Sequence, residues 1–514
     1  MRRNATLWKA CAIAFDSSFC VMVIELVASR MLAPYIGVSL YTWTSIIGVI
    51  LAGIALGNFL GGRLADKRAT PVLLGAVFLA GGTMTAVILP IIKVVGIADW
   101  WGSLPLMAVF VVKVALVFFV PSVVLSMVSP IVIKLALADI GQTGGVVGTI
   151  YAFSTIGSIL GTFLTGFYFI MWFGTMVIVW IVAAILIVTG VLIWFLWRTP
   201  GSSINRFKRP AMLSAALLVV LGYAIMMQSR QSWQVDYGLE SNYYAIKVRD
   251  GDNVKILVLD RLVHSYVVPN NPLELKYEYL RVFRELTEFL QQGKPSPRTL
   301  HLGGGGYSFP RYLEAVYPGS TNHVLEIDPA VTLVAHEILW LPYQTTIRSY
   351  NMDARLYLIQ GMATQKYDLV IGDVFNDTST PYHLTTLEFD RALKRIMQPE
   401  GVYLLNIIDA YENGRYMPSM INTLRQVFRN VYLFNCGMSW NFPGRATFVI
   451  AATDRELDYF AYEKFVTDDG KKRPAGVMHN PAALDMYVIE RQALLLTDDY
   501  VPTDILVAEM LRSS

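Results

Sequence analysis

Three acids that follow a glycine-rich turn at set distances are the residues of this chain best placed to do chemistry. In RTLHLGGGGYSFPRYLEAVYPGSTNHVLEID, residues 298–328, Gly303, Gly304 and Gly305 precede Glu326, which lies 21 residues after Gly305. The stretch reads as a strand, a tight turn, a helix and a second strand ending in an acid. Glycines at such a turn let the backbone approach a ligand, and the carboxylate takes the hydroxyls of a ribose. The third glycine of G-x-G-x-x-G is missing, since Ser308 stands in its place. Asp353, in NMDAR after a third strand, can accept from an adenine amino group. Asp373 ends a fourth strand in YDLVIGDVFND, at the carboxyl edge of the sheet, where ligands bind in folds of this kind. The plainer reading of Glu326 is a solvated acid at a strand end; its register with Asp353 and Asp373 argues against that.

These residues converge only if alternating strands and helices hold them. TLHLGG, HVLEID, TIRSYN, DLVIGDVF and VYLLNIID read as strands, with helical patterns such as PAVTLVAHEIL and TTLEFDRALKRIM between them. That alternation predicts a mostly parallel sheet. NVYLFN and ATFVIAAT predict an antiparallel hairpin closing it. Ahead of the sheet, SNYYAIKVRDGDNVKILVLDRLVHSYV alternates apolar and polar residues around DGDN, a β-hairpin or small sheet. A helix near Leu273–Gln292 and the linker GKPSPR follow.

Before this lies a different kind of sequence. Of the 514 residues, 54% are hydrophobic and 16% charged, against about 25% charged in an ordinary soluble domain. The apolar excess falls almost wholly before Ser229. At about 20 apolar residues per bilayer crossing, seven spans are expected: 7–33, 41–63, 71–95, 104–136, 145–171, 174–197 and 211–228. The fourth is too long for one straight span, and Pro121 and Pro130 are expected to kink it, or to end it and start a surface helix. Glycines 53, 57 and 61, and 157 and 161, recur every four residues, a pattern for close helix packing. The expected organisation is therefore a helical multi-pass membrane domain over residues 1–230, a β-hairpin and helix region over 236–295, and a Rossmann-like adenosyl-binding domain over 296–514.

The positive-inside rule places Arg63, Lys67 and Arg68 in the cytoplasm, along with Arg2, Arg3 and Lys9. Seven spans then carry everything after Met227 outside, whereas adenosyl donors are made in the cytoplasm; the side of the second half is open. Asp16, Glu25 and Lys113 lie inside spans, where Glu25 can pair with Lys113 or Arg30. The loop GNFLGGRLADKRAT resembles the signature between helices two and three of major facilitator transporters. A net charge of +3 argues against a nucleic-acid binder. Cys11, Cys20 and Cys436 cannot form a disulfide framework, and the six histidines show no metal-ligand spacing.

The motifs together resemble the spermidine synthase (polyamine aminopropyltransferase) family, in its membrane-fused branch. The resemblance covers about residues 240–453 and follows a specific order: a hairpin with Leu259–Asp260, Tyr277 at a helix start, GGG, LEID, DAR, YDLVIGD and PYHLTTLEF. It implies a class I methyltransferase-type α/β fold and transfer of an aminopropyl group from decarboxylated S-adenosylmethionine, a co-substrate, to putrescine or a related amine. Methylthioadenosine would leave. No permanently bound cofactor or metal is implied; a homodimer is possible for the fold. By motif, Glu326 would bind ribose, Asp353 with Ala354 adenine, and Asp373 would accept the proton. Pro381 would border the nucleoside, and Tyr244 and His264 stand where soluble members usually have glutamines. The chain departs from the family in three places. Gly306 replaces the acid of GGGDG, YEY (Tyr277, Glu278, Tyr279) replaces YHE, and DVFND replaces DSSDP, with Asn376 in place of the second acid and Asp377 one step later. Two other readings remain: a methyltransferase using intact S-adenosylmethionine, and a transporter or sensor whose adenosyl-binding domain regulates the helices.

Overall fold

The computed structural model describes residues 2–512 apart from 37–38, 98–103, 138–142, 198–236, 261, 293–295, 376–379, 438–439, 441–443 and 469–473. The expected seventh span, Asn376, Asp377 and the first three linker residues lie outside the described residues. The chain divides into two compact units, Met1–Gln234 with Glu240–Asn242 and Val235–Leu239 with Tyr243–Ser514.

The first unit is helical: α1 (Arg2–Ile36), α2 (Leu40–Arg68), α3 (Pro71–Ile97), α4 (Leu106–Val114), α5 (Val120–Ser126), α6 (Val128–Ala136), α7 (Thr143–Leu164), α8 (Ile170–Phe173) and α9 (Thr175–Leu196). Among the described residues, six stretches are long and apolar enough to cross a membrane. The long fourth segment is one such stretch, Met107–Ala136. Within it a π-helical turn, Ala115–Phe119, joins α4 to α5 immediately before Pro121, and a break at Met127 separates α5 from α6 shortly before Pro130. Both interruptions fall where a proline deprives a carbonyl four residues earlier of its donor.

GNFLGGRLADKRAT is helix rather than loop as far as Arg68. Ala69, with ψ 105°, and Thr70 leave the helix ahead of Pro71. The spaced glycines pack helices tightly. A Cβ at Gly57 would lie 2.3 Å from the Val123 carbonyl oxygen, and one at Gly157 would lie 2.3 Å from that of Phe15. Two polar groups on these apolar helices have partners within the unit. The Thr189 hydroxyl donates to Asp16 at 2.8 Å, and the Lys113 ammonium donates to the Gly96 carbonyl at 3.1 Å.

The second unit opens with a four-stranded sheet in sequence order: β1 (Tyr237–Glu240), β2 (Ala245–Gly251), β3 (Val254–Leu259) and β4 (Leu262–Val267). Asn253, at φ 56°, turns β2 into β3 within DGDN. Helix α10 (Glu278–Leu290) is shorter than expected; its start is set at Tyr277. A seven-stranded sheet follows, built from β5 (Arg298–Leu302), β6 (Thr321–Leu325), β7 (Arg348–Tyr350), β8 (Tyr367–Gly372), β9 (Met397–Ala410), β10 (Asn430–Asn435) and β11 (Arg445–Thr453). Its order is β10-β11-β9-β8-β5-β6-β7. The pairs from β9 through β7 are parallel, and the β10–β11 hairpin is antiparallel and pairs antiparallel with β9.

Both faces of this sheet are covered, so β5, β6, β8 and β9 are buried along most of their length. On β9, Tyr403, Leu405 and Ile407 enter one core with α13 (Ala354–Ile359), α14 (Leu387–Arg395) and α15 (Tyr416–Arg425). Val402 and Leu404 enter the other with α10 and α11 (Ser308–Val316). Between β6 and β7 runs α12 (Pro329–Glu337). From β5 the chain steps to β6 on one side and β8 on the other, which makes the carboxyl ends of β5 and β8 the switch point where ligands of such sheets bind.

Candidate active site

The glycine turn and Glu326 form one hydrogen-bonded unit. Gly303 leaves β5 at φ 89°, and a Cβ there would lie 2.3 Å from the Asp373 carbonyl oxygen. Only glycine permits both the dihedral and the close passage of β8. The amides of Gly304 and Gly305 donate to Glu326 Oε2 at 2.8 and 3.3 Å, and the Asp328 amide donates to Oε1 at 3.0 Å. Burial raises the Glu326 carboxyl from its usual range, with these amides pulling the other way. Tyr307, at φ 55°, is wholly buried beneath the turn. Its hydroxyl lies 3.1 Å from the Thr332 hydroxyl and donates to Ser349 at 3.0 Å.

Gly306 is enclosed by β4. Its amide donates to Ser265 Oγ at 2.8 Å, and a Cβ would lie 2.6 Å from Ser265 Cβ and 2.7 Å from Val267 Cγ2. An aspartate at this position has no room. Ser308, in the place of the third glycine, begins α11 and donates to the Tyr266 carbonyl at 3.3 Å.

Asp353 caps α13. Its Oδ1 accepts from the amides of Arg355 and Leu356 at 2.9 and 3.0 Å, while Oδ2 meets His383 Nε2 at 2.8 Å. Burial works to raise this carboxyl, but His383 and the cap amides outweigh it and hold it below the usual range. Ala354 is buried beside it, and Pro381 precedes the short turn Tyr382–Leu384 that carries His383.

Asp373, one residue past β8, is held from two sides. The Asn406 amide donates to Oδ1 at 2.9 Å and the Tyr279 hydroxyl to Oδ2 at 2.8 Å. Burial raises its carboxyl, and these two donors oppose the shift. A cavity of about 260 Å³ opens in front of it, lined also by Tyr277, Tyr279, His264, Asn406 and Arg445. The Tyr277 hydroxyl donates to the Val263 carbonyl at 2.5 Å, and its ring meets Tyr266 and Tyr279 at 4.8 and 5.2 Å. Burial pushes His264 down to about 4, so its imidazole is neutral at physiological pH. Tyr244 lies 6.4 Å from the His264 ring.

The structure thus unites Gly303, Gly304, Gly305 and Glu326, and places Tyr277, His264 and Asp373 around one cavity. Asp353, Ala354 and Pro381 form a neighbouring group through His383. Glu278 is the exception. It is exposed and lines a different cavity, of about 690 Å³, with Arg281 and Glu285. One residue along a helix turns by about 100°, so Tyr279 and Glu278 cannot share a direction. Sequence reasoning missed Asn406, although a lone asparagine in VYLLNIID was a visible signal. It also missed His383, Arg445 and Ser265, whose neighbours are distant in the chain.

Fold and site define a class I methyltransferase-type α/β domain with acids at its switch point, preceded by apolar helices. Over 159 residues the chain is 33% identical to a polyamine aminopropyltransferase of Vibrio vulnificus, covering 31% of this chain and 51% of that one. It is 25% identical over 187 residues to the polyamine aminopropyltransferase of Chromobacterium violaceum, covering 36% and 68% respectively. A solved probable spermidine synthase from Corynebacterium glutamicum is 21% identical with a TM-score of 0.45, covering 50% of this chain and 95% of that one. No protein-family model matches the chain. The chain spans about half the length of the Vibrio relative. The resemblance to the aminopropyltransferase family drawn from the motifs is borne out by the two sequence relatives.

Proposed function

We propose that this chain is a membrane-anchored aminopropyltransferase that moves an aminopropyl group from decarboxylated S-adenosylmethionine to a putrescine-like amine and releases methylthioadenosine. The observation that carries this reading is Asp373, fixed by Asn406 and Tyr279 at the mouth of a small cavity at the switch point. A sulfonium is already an activated electrophile, so catalysis consists mainly of aligning a neutral amine behind the carbon to be transferred. An alkylammonium loses its proton near pH 10.4 in water. Asp373 holds that cation and takes its proton before the nitrogen attacks; burial strengthens it as a base. Tyr277 and Tyr279 supply aromatic faces to the cations.

Glu326 binds the ribose. A carboxylate oxygen accepts about two hydrogen bonds, so Oε1, with one amide on it, keeps a place for a hydroxyl. Asp353 and Ala354 border the adenine, with Asp353 turned by His383. The helices of residues 1–230 anchor the enzyme in the bilayer, and 236–295 with 296–514 form its catalytic half. A second reading, methyl transfer from intact S-adenosylmethionine, draws support from the closed space at Gly306, where the acid that would hold an aminopropyl ammonium is absent.

The test incubates the detergent-purified full chain with either donor and a pool of amines, and follows the nucleoside product by mass spectrometry. Methylthioadenosine that requires both the decarboxylated donor and an amine is expected. S-adenosylhomocysteine would establish the second reading, and neither product despite nucleoside binding would leave the domain a sensor.

A further inference from the structure

We propose that the amine accepted in the Asp373 cavity carries a carboxylate of its own, which Arg445 receives while Asp373 receives the amine; this rests on the aminopropyl-transfer reading. Among the described residues lining the cavity, Asp373 and Arg445 alone carry full charges, one of each sign, and the neutral His264 adds none. A doubly protonated diamine would bring two positive charges to described lining residues whose charges sum to zero, beside a guanidinium. A zwitterion with an amine at one end and a carboxylate at the other matches that wall in sign at both ends. The places where further acids could balance a diamine are closed among the described residues: Gly306 has no room for a side chain, and Glu278 faces another cavity.

Arg445 is the first residue of β11, paired with Ala410 at the end of β9, and Asn406 on that strand holds Asp373. The two charges therefore flank β9 in one sheet, Arg445 on β11 and Asp373 just past β8. A guanidinium has five donors in a planar fork that matches a carboxylate, so a partner within the chain leaves others for a ligand. The cavity, at about 260 Å³, lies below the range of about 300–1,000 Å³ typical of drug-sized ligands and suits a short aliphatic amino acid. In the reaction the ammonium first gives a proton to Asp373. The nitrogen then forms a bond to the donor's propyl carbon as the carbon–sulfur bond breaks, and that electron pair stays on sulfur in neutral methylthioadenosine.

The experiment compares kcat/KM of the full-length enzyme, with decarboxylated donor, for ornithine, lysine and γ-aminobutyrate against putrescine and cadaverine. At least one carboxylated amine is expected to exceed the diamines by about tenfold or more, the worth of one charge-assisted bidentate contact. Arg445→Gln is expected to lower that ratio by a similar factor, chiefly through KM. Diamines preferred by the unaltered enzyme, or a ratio indifferent to Arg445→Gln, would overturn the inference while leaving aminopropyl transfer intact. Methylthioadenosine from no amine would overturn the underlying reading and this inference with it. If Arg445→Gln fails to fold, the unaltered enzyme's preference and Arg445→Lys, which keeps charge without the fork, decide.

Discussion

Asp373 is a buried acid with two fixed donors, and its replacement by asparagine separates chemistry from structure. An asparagine can still accept from the Tyr279 hydroxyl, and Asn406 Oδ1, which has no partner among the described residues, can accept its amide after a flip. Turnover of Asp373→Asn is expected to fall by about 10²–10⁴, the contribution of a positioned base, with nucleoside affinity kept. Retained turnover, read as methylthioadenosine per minute, would remove Asp373 as the base. Stability should move the other way. The folded state raises this carboxyl, so it holds the proton more tightly than the unfolded chain; ionisation therefore costs stability above the folded value and nothing below the unfolded one. Thermal melts of Asp373→Asn against the parent should accordingly show a larger gain at pH 7 than near pH 3. On the same grounds kcat/KM should fall on acidification at a pH above that of an ordinary aspartate, because only the ionised carboxylate accepts a proton.

The glycine turn and β4 act as a single element. At Gly303 an alanine would meet both a left-handed φ and the Asp373 carbonyl oxygen at 2.3 Å. Backbone strain of this kind costs about 1–3 kcal/mol, and β8 would have to move as well. Gly303→Ala should lose nucleoside binding along with stability, measured by ligand titration and thermal melts; an unchanged affinity would show that β5 and β8 are less tightly coupled at this exit. Gly306→Asp, which introduces the acid of the GGGDG motif, is expected not to improve diamine turnover. It should destabilise by about 1–3 kcal/mol, as overpacking does, because Ser265 and Val267 already fill that space. A stable Gly306→Asp protein with faster putrescine turnover would contradict this packing account.

The whole molecule joins two units of opposite character. Six stretches with the length and hydropathy of membrane spans predict that the chain stays with membranes through alkaline carbonate and leaves them only with detergent. Recovery in the carbonate supernatant would sink the anchoring reading. If the seventh span expected at 211–228 crosses as well, an odd number of crossings would carry the second unit to the side opposite the N-terminus. A membrane-impermeant amine reagent should then reach exposed Lys276 and Lys366 in intact cells. Labelling only after permeabilisation would place them with the N-terminus.

Much of this was legible in the chain itself. Order and type of the core strands follow from apolar runs punctuated by glycine and acid, and Gly303 and Glu326 are found by spacing, because a turn between two adjacent strands is a local device. The six described apolar helices were equally plain, since apolar length alone defines a candidate span; the continuation of α2 through GNFLGGRLADKR, where polar residues suggested a loop, and the course of Met107–Ala136 past Pro121 and Pro130 needed the structure. What tertiary structure alone decided is who faces whom. Tyr279 and Asn406 reach Asp373 from 94 and 33 residues away, Ser265 closes the space at Gly306 from 41 residues away, and Arg445 enters the same cavity from the last strand. Glu278, beside Tyr279 in sequence, turns to another cavity. Local pattern records the period of a strand or helix, but the direction of a side chain toward a distant partner depends on how sheet and helices pack, and charge pairing in a cavity exists only once they have.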